Sequence, residues 1–153
     1  MPEPAILLAD AAATDDVGRA LAPLLRVGDV VTLSGPLGSG KTSFARGLLA
    51  ALGLEGDAPS PSFALVIAYA PPEIRLPVWH VDLYRLAAAA DVLELGLEDA
   101  LADSALLIEW ADHGLARWPE ALALRFAVEG EGRRLTWTVG PAWAERWPPP
   151  PPR

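Results

Sequence analysis

The sequence predicts an α/β fold, a three-layer sandwich with a mostly parallel central sheet and antiparallel strands at its edges. Three observations predict it. Apolar, β-branched runs alternate with stretches of helical periodicity through residue 110, the pattern of parallel strands joined by crossover helices. A glycine-rich stretch, GPLGSGKT at 35–42, lies between one such run and one such helix. The last part of the chain, 121–140, reads as two strands about a GEG turn, which adds antiparallel strands rather than another crossover.

Each element follows in order. PAILLAD (4–10) reads as a short strand. The helix after it is expected to start with Thr14 as N-cap and Asp15 and Asp16 in its first turn, burying positions 17, 20, 21, 24 and 25. DVVTLSG (29–35) is a buried strand ending at glycine, and TSFARGLLAALG (42–53) is a helix stopped by Gly53. A proline-punctuated loop leads to a strand near 63–69; the PP at 71–72 marks a turn; IRLPVWHVDLY (74–84) contains the next strand, paired antiparallel to the last. DVLELGLEDALAD is helix broken at Gly96, and SALLIEW (104–110) is a second buried strand. The reading expects one domain over 1–140 and an extended Trp/Pro-rich tail over 141–153.

Composition bounds the function. The chain has 153 residues, is 52% hydrophobic and carries a net charge of −8 without a basic block, so autonomous binding to a nucleic-acid backbone is not expected. Cysteine is absent and there are two histidines, far apart, which argues against thiolate or histidine-rich metal sites. No apolar run is long enough to span a bilayer and the start lacks a basic leader region, so the expectation is a cytoplasmic protein with no membrane partner.

Among the 12 lysines and arginines, Lys41 is the only lysine. It stands in Gly35-Pro-Leu37-Gly38-Ser39-Gly40-Lys41-Thr42, which fits the phosphate-loop pattern G-x-x-x-x-G-K-[ST] in full. Glycines let successive backbone N–H groups turn onto one phosphate, and the following helix aims its positive amino end at the same anion. Lysine is a compact point charge on a thin stem, which arginine's planar fork cannot copy in a narrow slot. Thr42 offers a hydroxyl to Mg²⁺, and Ser43 continues the first turn. The layout is therefore P-loop NTPase-like, with a nucleoside triphosphate and Mg²⁺ as the expected ligands.

A magnesium–nucleotide site needs a carboxylate at a neighbouring strand end. Asp82 follows VWHV and Glu109 follows ALLI, both at the strand rim where α/β sheets bind ligands. Either can hold the metal while the other positions the attacking water. Ser60 and Ser62, in SPSF, are candidates for sensing the terminal phosphate, and His80 shares a strand face with Asp82 as candidate support. Trp110 follows Glu109 at the same rim.

These pieces together resemble the TsaE (YjeE) family of small bacterial P-loop ATPases. The matching stretches are GDVVTLSGPLGSGKTSFARGLLAALG, SPSF, HVDLYRL, LELGLEDAL and LLIEW, in family order over about residues 14–110. The resemblance implies slow ATP hydrolysis, Mg²⁺ dependence, and docking onto the protein complex that transfers a threonylcarbamoyl group to adenosine 37 of transfer RNA. It implies that Asp82 is the catalytic acid, assisted by Lys41, and that Glu109 and Thr42 bind magnesium, with Asp82 beside them. It implies nucleotide contacts from Thr14, from Gly35, Leu37, Gly38, Ser39, Gly40, Lys41, Thr42 and Ser43, from Ser62 and Trp110, and from a hairpin arginine, Arg133 or Arg134, with Arg133 preferred. Pro59 stands where the family usually has threonine, and Pro36 where it usually has aspartate. A small-molecule kinase would use the same loop but needs an arginine-bearing lid, and 86–103 is acidic. A nucleotide-binding regulator without turnover is the third reading.

Overall fold

The computed structural model describes residues 5–36, 38–56, 66–83, 96–109 and 118–148. Seven strands form one sheet: β1 (Ala5–Leu8), β2 (Val30–Ser34), β3 (Val66–Tyr69), β4 (Val78–Asp82), β5 (Ala105–Glu109), β6 (Leu122–Glu129) and β7 (Gly132–Val139). Their spatial order is β1-β7-β6-β2-β5-β4-β3. The middle four, β6, β2, β5 and β4, are mutually parallel. β7 runs antiparallel to β6 and β1, and β3 runs antiparallel to β4. The expected mostly parallel centre with antiparallel flanks is what forms.

Sequence explains the placement of each strand. VVTLS and ALLIE are buried almost throughout, as strands covered on both faces must be. β6 instead alternates: Leu122, Leu124 and Phe126 are buried, while Arg125 and Ala127 are exposed. It therefore faces the core on one side only.

Among the described residues, two helices cover one face, α1 (Ala11–Leu21) and α2 (Lys41–Ala51), and a short helix, α3 (Leu97–Ala100), lies on the other. The main core joins α1 and α2 to Val31, Leu33, Leu107, Leu122 and Leu124. A smaller cluster on the opposite face joins Val81, Leu106 and Ile108 to Leu97, Ala100 and Trp118. No helix among the described residues is long and apolar enough to cross a membrane.

Thr14 is not the N-cap. α1 begins one turn earlier, where the Asp10 carboxylate accepts a hydrogen bond from the Ala13 amide at 2.9 Å. Asp10 is as good a cap as threonine, and the three alanines after it have the highest helix propensity. Thr14 is consequently buried inside α1. The end of α2 is as expected: Gly53, at φ +121°, lets the Leu54 amide reach back to the Leu49 carbonyl at 3.0 Å.

The helices α1 and α2 touch backbone to backbone through two glycines. A Cβ on Gly18 would lie 2.2 Å from the Phe44 carbonyl oxygen, and one on Gly47 would lie 2.2 Å from the Asp15 carbonyl oxygen. Gly47→Ala would gain about 1 kcal/mol of helix propensity. Forcing the helices apart costs about 3 kcal/mol, so the clash wins. We expect a melting temperature lowered by roughly 4–8 °C in a thermal scan of Gly47→Ala.

The chain beyond 140 differs from the extended tail expected there. Pro141–Trp143 forms a 3₁₀ turn. Trp143 and Trp147 are buried in the main core. Arg146 grips Asp29 with both terminal nitrogens at 2.7 Å, donates to the Leu24 carbonyl at 2.7 Å, and stacks on the Trp143 ring. Two indoles bring enough apolar area to fold the segment back, and the bidentate guanidinium neutralises a carboxylate that burial would otherwise penalise. The fold thus runs through residue 148; the prolines and arginine at 149–153 lie outside the described residues.

Candidate functional site

The loop between β2 and α2 is shaped by three glycines at positive φ: Gly35 (+139°), Gly38 (+76°) and Gly40 (+113°). At Gly35 a side chain has no room, because a Cβ would lie 2.3 Å from the Phe126 carbonyl oxygen of β6. Gly40 is the N-cap of α2 and offers no side-chain cap. The first intrahelical bond runs from the Phe44 amide to the Gly40 carbonyl at 3.0 Å. The amides of Lys41, Thr42 and Ser43 precede it, so they sit at the positive amino end of the helix.

Lys41 is buried within this loop. Its Nζ donates to the carbonyl oxygens of Gly35 at 2.5 Å and Pro36 at 3.0 Å. The Ser39 amide also donates to the Pro36 carbonyl, at 3.1 Å. The Ser39 hydroxyl is buried with no hydrogen-bond partner among the described residues, a polar atom that a ligand could satisfy. Thr14 packs against the loop from α1: a Cβ on Gly40 would lie 3.2 Å from its Cγ2. From the hairpin, Arg133 Nε donates to the Gly38 carbonyl at 3.0 Å, whereas Arg134 faces Glu129 at 3.8 Å. The hairpin arginine that meets the loop is therefore Arg133.

Parallel pairing brings the two acids to the same end of the sheet. Glu109 is in register with Leu33, two residues before Gly35, and Asp82 is in register with Glu109. Cross-strand partners share a face, so both carboxyls belong to the α2 side. Asp82 and Glu109 are only 6% and 5% exposed. His80 Nε2 lies 2.6 Å from Glu109 Oε2 in a buried pair.

The structure thus gathers Thr14, Gly35, Gly38, Ser39, Gly40, Lys41, Thr42, Ser43 and Arg133 around one loop, with Asp82 and Glu109 on the adjoining strand tips. Leu37, Ser60, Ser62 and Trp110 lie outside the described residues. Sequence reasoning missed two supports. Phe126, whose carbonyl limits Gly35, carried no motif. The partner of His80 was hidden 29 residues away, although the spacing of His80 and Asp82 fixed the face.

The donor set suits a magnesium–phosphate ligand. Thr42, Asp82 and Glu109 supply hard oxygens, and no group of three or more His, Asp or Glu among the described residues forms a self-contained metal cage. Magnesium bound with a nucleotide needs only one or two protein carboxylates, because phosphates and water complete its shell. A separate hollow of about 190 Å³, lined by Gly28, Asp29, Leu101, Trp118 and Trp143 among others, lies at the other end of the parallel strands, where β2 and β6 begin.

Comparisons with known proteins bear on the family and the fold. The sequence model of the family described as "Threonylcarbamoyl adenosine biosynthesis protein TsaE" matches residues 8–135. The chain is 47% identical over 140 residues to a Streptomyces coelicolor protein named tRNA threonylcarbamoyladenosine biosynthesis protein TsaE, covering 84% of this chain and 93% of that one. It is 34% identical over 123 residues to the Treponema pallidum protein of the same name, covering 78% and 88%. Among solved structures, Bacillus subtilis YdiB superposes with a TM-score of 0.73 at 25% identity, over 90% of this chain and 86% of that one. With the family model spanning most of the fold and the glycine loop, Lys41 and Glu109 all inside the matched region, the chain belongs to the TsaE family.

Proposed function

We propose that the protein binds ATP with Mg²⁺, hydrolyses it slowly, and serves biosynthesis of threonylcarbamoyladenosine at position 37 of transfer RNA by acting on the threonylcarbamoyl-transferase complex. Family membership and the names of the relatives support the pathway. One observation carries the nucleotide reading: a buried lysine ammonium is folded onto its own loop carbonyls at the open amino end of α2, beside two buried strand-tip acids.

The residues divide the work by chemistry. Lys41 and the first-turn amides of α2 replace the water around the phosphates, and the helix dipole adds to their field. Lys41 leaves carbonyl acceptors for phosphate acceptors, so a charged donor finds a better charged partner. Thr42 and Glu109 are the oxygen donors for magnesium, which when bound neutralises charge developing on the phosphates. Asp82 orients the attacking water and takes its proton on a carboxylate oxygen. Arg133 holds the Gly38 carbonyl and so fixes the loop rim. A net charge of −8 leaves the grip on transfer RNA to protein partners.

Steady-state phosphate release, measured on the chain alone and with the transferase complex plus transfer RNA, tests this. Slow release alone, faster release with the complex, and ATP-dependent modification over repeated turnovers are expected. Rapid phosphate transfer to a metabolite by the chain alone would favour a kinase instead.

A further inference from the structure

We infer that His80 is a positioning residue for Glu109: its imidazole holds one carboxylate oxygen so that the other is presented to the divalent cation at the sheet edge. The inference rests on the magnesium reading of the site given above.

The geometry is specific. His80 is in register with Leu107, so Glu109 is its diagonal neighbour on the same sheet face. The contact is 2.6 Å, between Nε2 and Oε2, and His80 is only 2% exposed. Water cannot compete for the carboxylate from that side. Facing a carboxylate, Nε2 carries the hydrogen and donates it to Glu109, and Nδ1 is buried without a hydrogen-bond partner among the described residues. An imidazole placed only for packing would gain from an apolar replacement, because the buried Nδ1 forfeits its hydrogen bond to water. What the histidine adds is direction. A glutamate has three rotatable bonds, and an unheld carboxylate at a strand tip samples several orientations. Tying Oε2 leaves Oε1 as the oxygen free to meet a cation. Partners that orient a ligating side chain in this way are typically worth about 10–100-fold in metal affinity.

The test compares two replacements of similar size in the full chain. Glutamine can place its amide nitrogen near the position of Nε2; asparagine cannot reach it. Binding of a fluorescent N-methylanthraniloyl ATP is followed as free Mg²⁺ is raised, and again in excess EDTA, with thermal melts of every variant. His80→Asn is expected to raise the half-saturating Mg²⁺ concentration about tenfold. It should leave affinity in EDTA unchanged, and His80→Gln should stay within about threefold of the parent. His80→Phe, which keeps the ring and lacks the donor, takes the place of His80→Asn if the latter does not fold. Glu109→Gln separates the failures. If the parent chain binds no nucleotide, the function reading fails. If Glu109→Gln leaves the magnesium midpoint in place, the assignment of Glu109 fails, and this inference with it. If Glu109→Gln moves the midpoint but His80→Asn and His80→Gln behave alike, or lose metal-free affinity by the same factor, His80 is structural and the inference alone is overturned.

Discussion

We expect the replacement of Lys41 by alanine to lower ATP affinity at least about a hundredfold, equivalent to about 2.7 kcal/mol. The side chain is buried and its ammonium is held by two loop carbonyls, of Gly35 and Pro36. A phosphate arriving at the amino end of α2 meets a cation already in place. Charge-assisted hydrogen bonds contribute about 1.5–3 kcal/mol each, so losing the cation outweighs what the remaining amides retain. Lys41→Arg is the sharper test, because it preserves charge. The guanidinium is planar and presents a fork, and the space between the two carbonyls is occupied by one tetrahedral ammonium. We expect arginine to lose affinity nearly as severely as alanine. Competition titrations against a fluorescent nucleotide read the loss; thermal melts show that the fold survives. Parent-like affinity in Lys41→Arg would mean that charge alone suffices.

The second large effect falls on turnover rather than affinity. Asp82→Asn keeps the side-chain volume at a buried strand tip and removes the carboxylate proposed to accept the proton. Positioned general bases contribute about 10²–10⁴-fold, so hydrolysis should fall by that range while ATP affinity stays within about threefold. The split matters. An interaction made only in the transition state lowers kcat without changing binding, whereas damage to the pocket changes both. Phosphate release under saturating ATP, paired with equilibrium binding on the same preparation, distinguishes them. Equal losses in both would move Asp82 from the chemistry to the ground-state pocket.

Much of this site was legible before any coordinates, for local reasons. A lone lysine within a glycine pattern, after a β-branched run and before a helix, encodes a loop whose geometry is set by the residues themselves. Gly35, Gly38 and Gly40 all take positive φ; the pattern itself fixes Gly35 and Gly40. The acids were legible because each follows a largely apolar run, VWHV (three apolar residues and one histidine) and ALLI, which places each at a strand end. What was not legible depended on contacts distant in sequence. The N-terminal strand pairs with the last, Ala5 opposite Thr136, and no local signal carries that pairing. The contact of His80 with Glu109 required knowing that β4 lies beside β5. Asp10 competed with Thr14 for the cap on nearly equal terms, and the alanines between them decided it. The proline run at the end reads as extended chain, whereas the burial of Trp143 and Trp147 and the ion pair of Arg146 with Asp29 tie residues 141–148 to the core. Glycines 18 and 47 lower helix propensity, yet they are where α1 and α2 touch. Propensity describes a helix alone; packing decides which of its residues can bear a side chain.

The most direct test of the account is a calorimetric titration of ATP into the full chain, with and without Mg²⁺. The account predicts one nucleotide bound per chain, more tightly with magnesium, with the heat abolished in Lys41→Ala. No heat from ATP or GTP in the presence of magnesium, from a chain that melts cooperatively, would contradict it.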